Sequence, residues 1–378
     1  MEGRTTMKEV LKSSDKIAYM NSYSEIELNS PYEIYKGNRF LLNTNEFKVF
    51  ADKCINLECK SSGDERLIHL ACRDGNIDIL RCLISHGVEI NCIEDFDGHP
   101  IHAAINGKNA LEMVKCLVEN GADVNCADPF NRRPIHEACI KKQLETVKYL
   151  VANGADVNMM DELENYPIHY VCCEHDIQTF EITKYLIENG ADLNCVDMHG
   201  TTLLHKIYDR YRGDRMKNNE LIKSLVANGV NINCTDRDGK NLIHHICNGF
   251  MRFDVETVKY LVENGADVNC ADWEGKRPIY YACKASNKEF ALDAVECLVK
   301  YGADINCADK CGRQPIHIAC KMGNLELVKL LVSYGADVNC VDTYGLHSLH
   351  YAYQRGKIEV VEYIISQVAD YNGLHPIL

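Results

Sequence analysis

The stretch Gly121-Ala122-Asp123-Val124-Asn125-Cys126-Ala127-Asp128, with Pro134-Ile135-His136-Glu137-Ala138-Cys139 shortly after it, decides the fold, because both pieces return along the chain. Near copies of the first start at Gly190, Gly265, Gly302 and Gly335, and looser ones at Gly87, Gly154 and Gly229. The asparagines that close them are Asn91, Asn125, Asn158, Asn194, Asn233, Asn269, Asn306 and Asn339, spaced by 34, 33, 36, 39, 36, 37 and 33 residues. Eleven residues after each stands His102, His136, His169, His205, His244, Tyr280, His317 or His350, and His69 opens the series. A period of this length marks a stacked repeat array. It gives nine units between about 65 and 367.

Each unit predicts two short antiparallel helices and a hairpin loop. Five of the eight prolines occupy one slot, four before an Ile-His pair and Pro278 before Ile279-Tyr280. Proline suits the first turn of a helix, where its missing N–H has no partner to lose. A helix of about nine residues should follow, with small Ala138 and Cys139 allowing close helix approach. The second helix is amphipathic, Val147, Leu150 and Val151 inward and Glu145 and Lys148 outward. Gly154 ends it in the left-handed region. Glu164 takes the hairpin slot that glycine fills elsewhere, a poor residue for positive φ.

These residues resemble the ankyrin repeat, whose hallmarks are Thr-Pro-Leu-His followed by small residues, then Gly-Ala-Asp-Val-Asn. The resemblance covers roughly four-fifths of the chain. It implies an all-α ankyrin-repeat solenoid of helix-turn-helix units with β-hairpin loops, nine clear repeats and a degenerate N-terminal capping repeat. The expected divisions are a helix or tail over 1–27, the capping repeat over 28–64, the array over 65–367 and a tail over 368–378. The hallmark threonine survives only as Thr202. His99, Arg133, Tyr166, Asn241, Arg277, Gln314 and His347 fill its slot, so the family's threonine–histidine bond is expected to be missing there and those units to be looser.

The composition excludes several classes of function. The chain has 378 residues and a net charge of −14, with 46% hydrophobic and 25% charged residues, so a substantial core is available. The acidic balance opposes general binding to nucleic acid or anionic membrane, both of which are negative. Residues 1–16 lack an apolar signal core, and no run of about 18 apolar residues occurs. A soluble cytosolic location, or a nuclear one, is expected. Seventeen of the twenty cysteines fall in three repeat columns, two of which usually hold alanine in ankyrin-like units. Cysteine there acts as a small buried hydrophobe. Zinc favours closer pairs than the recurring Cys-x9-His, so no metal is expected. Cys311, at a hairpin tip, is expected to be exposed as a solvent-facing substitution, with a reactive thiol activated by Lys310 and Arg313 as the alternative.

Asp and His recur because the repeat recurs, and no nucleophile–base pair or phosphate-cradling motif stands apart from it. No catalytic site and no cofactor are expected. The resemblance implies a non-enzymatic protein-interaction scaffold or adaptor, with a partner protein or peptide on a concave surface of hairpin tips and first helices. The tip residues are Phe130, Arg132, Leu163, Met198, Arg237, Lys240, Trp273, Lys276, Lys310, Arg313 and Tyr344. Arg237, Lys240, Lys276, Arg277, Lys310 and Arg313 form a basic row around the single tryptophan, which suggests an acidic, partly hydrophobic partner. The alternative is a nucleic-acid-binding or metal- or redox-responsive module. Its nucleic-acid form rests on Tyr208, Arg210, Tyr211, Arg212, Arg215, Phe250, Arg252 and Phe253 in the lengthened units, where arginines alternate with rings able to stack on bases, and its metal or redox form on the cysteines.

Overall fold

The structure, a computed structural model, describes residues 47–48, 51–52, 57–58, 60, 65–95, 98–172, 177–209, 215–248 and 254–367. It is all-helical, with four isolated bridges and no sheet among the described residues. The chain divides into two compact units. Met1–Ala191 holds α1 (Leu67–Asp74), α2 (Ile77–Ser85), α3 (Pro100–Asn106), α4 (Ala110–Glu119), α5 (Pro134–Ile140), α6 (Leu144–Ala152), α7 (Pro167–Val171) and α8 (Ile177–Glu188). Asp192–Leu378 holds α9 (Leu203–Asp209), α10 (Arg215–Ala227), α11 (Leu242–Cys247), α12 (Val255–Glu263), α13 (Pro278–Lys284), α14 (Lys288–Lys300), α15 (Pro315–Met322), α16 (Leu325–Ser333), α17 (Ser348–Gln354) and α18 (Ile358–Gln367).

The first helix of each pair has five to eight residues, shorter than the nine expected. The cause is local. Gly75 and Gly323 turn the chain into the left-handed region, with φ of 69° and 71°. The next residues, Asn76 and Asn324, already cap α2 and α16 by accepting the N–H of Ile79 and Leu327. Within the first unit α1, α3, α5 and α7 pack side by side as one row, and α2, α4, α6 and α8 as a second. In the second unit α9, α11, α13, α15 and α17 make one row, and α12, α14, α16 and α18 follow one another in the other. Ile135, Ala138, Cys139, Val147 and Leu150 are fully or almost fully buried where the rows meet. Emptying one leucine of such a core costs about 2–5 kcal/mol.

The column histidines join neighbouring repeats by one recurring arrangement. The ring Nε2 donates to a hairpin carbonyl of the next repeat: His102 to Arg132, His136 to Asn165, His205 to Lys240, His244 to Lys276 and His317 to Leu346, at 3.0–3.2 Å. Nδ1 accepts a bond from the start of its own helix. At His205 the donor is the Thr202 hydroxyl, 2.7 Å away. Elsewhere the threonine is absent, and the peptide N–H of the same slot does the work: His99, Arg133, Tyr166, Gln314 and His347 donate to Nδ1 at 2.9–3.3 Å. The expected loosening is thereby overturned, because the bond needs a backbone donor that every residue but proline supplies. Asn241 gives its N–H to the ring as well and takes the His244 N–H on its side chain.

The asparagines that close the loops form a second ladder. Asn125 donates to Gly154 O and accepts the Asp156 N–H, and Asn306 repeats this with Gly335 and Asp337, all at 2.9–3.1 Å. Gly98, Gly200, Gly239, Gly275, Gly312 and Gly345 adopt positive φ at the hairpin, as do Asn131 and Glu164 at 57°. Glu164 thus bears the strain its slot implied.

Expectations for 1–27, for most of 28–64 and for 368–378 lie outside the described residues, as do Cys59 and Cys173. Within 28–64, Phe47 and Ala51 are buried, and His86 of the first unit bonds Asp52 at 2.9 Å.

Two outcomes follow. Burial pushes the His102 and His244 imidazoles down to about 4, and lowers His136 and His317, against the opposing pull of their carbonyl bonds. An unfolded chain takes up those protons near pH 6.5. Between pH 6.5 and about 4 the unfolded state therefore binds more protons, and stability falls as pH drops through that window, by up to about 1.4 kcal/mol per pH unit per histidine. Urea midpoints measured from pH 7.5 to 4.5 will fall; a flat profile would mean the rings are not held neutral. The second outcome concerns glycine. A Cβ on Gly312 (φ 75°) would stand 2.7 Å from the Thr343 N, whereas one on Gly335 (φ 89°) meets nothing within 4 Å. Gly335→Ala should cost about 1–2 kcal/mol from its φ alone, and Gly312→Ala clearly more, as read by denaturant unfolding.

Candidate functional site

The hairpin tips are built on a column of acidic residues, of which the sequence marks Asp128 as a turn former without showing what its second oxygen binds. Asp128, Asp161, Asp197, Asp272, Asp309 and Asp342 are buried, and Asp236 is half-buried. One oxygen of each accepts the N–H groups two and four residues on, as Asp272 does from Glu274 and Lys276 at 2.9 Å. The other oxygen takes a side chain. Nine residues on, Tyr170, Lys206, His245, Tyr281 and Tyr351 reach back to Asp161, Asp197, Asp236, Asp272 and Asp342. At Asp309 that position is Ile318, and Arg313 binds the carboxylate with Nε and Nη2 instead. At Asp128 the position is Glu137, and Arg132 bridges both acids. The signal was legible as an Asp with Tyr, Lys or His nine residues later, or Arg four later. Asp342 is held below the usual carboxylate range: burial acts upward, and the Tyr351 hydroxyl with the Leu346 and Tyr344 N–H groups outweighs it.

Consecutive tips are bonded through their backbones. In the second unit Trp273 N donates to Asp238 O, Lys310 N to Glu274 O and Thr343 N to Cys311 O, at 2.9–3.0 Å. In the first unit Glu162 N donates to Phe130 O in the same way. The structure therefore sets Arg237, Trp273, Lys310 and Tyr344 on successive tips of one unit, and Phe130 and Leu163 on neighbouring tips of the other. Large apolar groups point outward: Trp273 is 65% exposed, Tyr344 79%, Phe130 49% and Leu163 53%, with Met198 also exposed.

The basic row is not an open strip of positive charge. Lys240 pairs with Asp238, Lys276 with Glu274, Arg277 with Asp304 and Arg313 with Asp309. Lys276 and Arg313 also lie over the Tyr280 ring, at 5.2 and 5.9 Å from its centre. This pair of contacts accompanies the one tyrosine in the histidine column. Arg237 and Lys310 form no ion pair among the described residues. Arg132 stacks on Phe130 at 5.1 Å.

The cysteines follow the packing expectation: those described are free thiols, and all but Cys234, Cys270 and Cys311 are buried. Burial pushes Cys92 up to about 11 and Cys126 and Cys195 up to about 12, so these thiols stay protonated. Cys311 is half-buried rather than exposed, and its carbonyl receives both the N–H and the hydroxyl of Thr343. Of the arginine–aromatic set, Tyr208 is half-buried and bonds Ile246 O at 3.4 Å. Arg210, Tyr211, Arg212, Phe250, Arg252, Phe253 and the Arg215 side chain lie outside the described residues. No helix among the described residues is long and apolar enough to cross a membrane.

Comparison with known proteins agrees with this geometry. The family model described as ankyrin repeats (3 copies) matches residues 40–128, 68–161, 135–208, 215–292 and 285–373. The NF-kappa-B inhibitor cactus of Drosophila yakuba is 48% identical over 61 residues, 16% of this chain and 12% of that protein. Its counterpart from Drosophila melanogaster is 50% identical over 54 residues, 14% of this chain and 11% of that protein. The matched segment thus spans about an eighth or less of the length of these relatives. Ankyrin repeats are in general protein-interaction modules. With family matches over most of its length, and with the paired helices, hairpins and histidine column described above, the chain belongs to the ankyrin-repeat family.

Proposed function

We propose that this chain is a non-enzymatic scaffold that holds a partner protein or an extended peptide on its hairpin tips. The observation that carries the proposal is the display of large apolar side chains on a fixed frame. Trp273 and Tyr344 stand out from tips whose backbones are locked by buried carboxylates and by one another. Aromatic and arginine side chains on rigid supports are the usual anchors of protein interfaces. They lose little freedom on binding when the backbone beneath them is already ordered. Resemblance to proteins named as inhibitors of another protein supports recognition over catalysis. Arg237 and Lys310 supply the positive charge that internal acids do not neutralise, which favours a partner with acidic groups beside an apolar segment. The reading places the chain in the cytosol, with the nucleus as the other compartment that would keep its thiols reduced.

The test uses the side chains that face solvent rather than those already paired, so Lys310 is chosen over Lys276. A Trp273→Ala, Arg237→Ala, Lys310→Ala triple variant should keep the melting temperature of the parent, since all three residues are exposed. Its affinity for proteins captured from the native cell by the parent should fall at least about a hundredfold, from anchors worth roughly 2 kcal/mol or more. Equal capture and equal affinity would place recognition elsewhere.

A further inference from the structure

Two columns of the repeat meet at one place with a chemistry found nowhere else among the described residues. Where Asp161, Asp272 and Asp342 face a tyrosine and Asp197 a lysine nine residues on, Asp236 faces His245, whose Nε2 lies 2.8 Å from Asp236 Oδ2. The His245 ring stands edge-on to the ladder histidine His205, ring centres 5.0 Å apart. One ligand atom from each of His205, Asp236 and His245 lies within 4.8 Å of the other two, and no other triplet of such residues converges this way among the described residues.

We propose that His205, Asp236 and His245 form a binding site for one divalent transition-metal ion of the zinc class, with water completing the coordination.

The donor set fits that class. Two imidazoles and a carboxylate suit zinc, cobalt and nickel, and three protein ligands with an open position is a recurrent zinc arrangement. The ligands come from three elements, α9, the hairpin and α11, so an ion would tie two adjacent repeats together. The surroundings already orient two of them. His205 donates Nε2–H to the Lys240 carbonyl at 3.0 Å, the type of second bond that holds a metal-bound imidazole in place. Asp236 uses Oδ1 to accept the N–H groups of Asp238 and Lys240, each at 2.9 Å, which aims Oδ2 at His245.

The bond that must yield has somewhere to go. His205 Nδ1 shares a hydrogen bond with the Thr202 hydroxyl at 2.7 Å, and that hydroxyl also lies 3.2 Å from Cys234 Sγ. We assign the ion to Nδ1 of His205, which keeps the Nε2 bond to Lys240 and lets Thr202 turn to the thiol. Metal–ligand bonds of 2.0–2.1 Å set ligand separations of roughly 3.3 Å, so the Asp236–His245 hydrogen bond at 2.8 Å gives way, its proton leaving as the ion binds, while the widest pair closes by up to about 1.5 Å. Asp236 and His245 are half-buried, so part of each side chain meets solvent.

The sequence pointed away from metal because each column was weighed singly: Tyr280 in the histidine column, and Cys-x9-His spacing too wide for a zinc pair. The present site draws its ligands from both columns and uses no cysteine.

Cobalt(II) is the probe, titrated into the full-length chain, because its spectrum separates this site from the twenty cysteines. Coordination by nitrogen and oxygen gives weak visible bands without the intense near-ultraviolet band of a cobalt–thiolate bond. One equivalent should bind with those bands, and zinc should displace it and raise the melting temperature. His245→Tyr and His245→Lys place at this position the residues that sibling repeats set beside Asp272 and Asp197. Both should keep the helical circular dichroism of the parent and lose cobalt affinity by about a hundredfold or more. In the unaltered chain zinc should shift the imidazole nitrogen resonances of His205 and His245 and leave those of His102, His136 and His317 in place, a readout that does not depend on either variant folding. No cobalt bands in the parent, bands of thiolate type alone, bands retained by the folded variants, or unshifted His205 and His245 resonances would each overturn the site.

Discussion

An imidazole that must give and accept at once is the constraint from which the rest of this molecule follows. Nδ1 takes a hydrogen from the first turn of its own helix, and Nε2–H is spent on a carbonyl in the neighbouring hairpin. Only the neutral ring in one tautomer can do both. Because the ring is buried, each polar atom must have its partner, and an unpaired one would cost about 1–3 kcal/mol. The hairpin carbonyl is therefore fixed relative to the helix before it, and the following repeat is seated by a bond rather than by apolar packing alone.

The hairpin carboxylates extend this order outward. Each Asp gathers two N–H groups of its own tip and a side chain from the following helix or from an arginine of the tip itself, so the most exposed part of the repeat rests on a carboxylate largely withdrawn from solvent. Neighbouring tips then bond to one another through their backbones. Two departures are informative. At Tyr280 the column lacks an imidazole, and two cations lie against the ring. At Asp128 two acids fall together, and a single guanidinium answers both. The frame tolerates substitution wherever another residue can close the same set of hydrogen bonds.

Much of this was legible in the order of residues. The period, the proline and glycine punctuation and the small-residue columns forecast helix pairs and loops, because they depend on local backbone preference. The strained slot at Glu164 was legible for the same reason. The histidine bond was misjudged where threonine is missing, since the substitute donor is the peptide group and leaves no trace in side-chain identity. The basic row was read as open charge for a related reason. Lys240 and Lys276 are neutralised by acids two residues before them, but whether a side chain turns back to its own hairpin or out to solvent depends on the tip conformation. The tip residues themselves were identifiable by their variation between copies, whereas the way Asp236, His205 and His245 converge needed three dimensions.

The local pairing of tip charges bears on how such a chain changes over time. Lys240 with Asp238, and Lys276 with Glu274, each lie within a single hairpin. A tip can therefore exchange its charges, or trade them for a ring, without leaving an orphaned ion in the repeat on either side. The histidine and asparagine ladders pass beneath through backbone atoms and do not register the exchange. If the tips hold the partner as proposed, recognition is a cassette of a few residues on a fixed mount, and one hairpin at a time can be rewritten while the fold stands still.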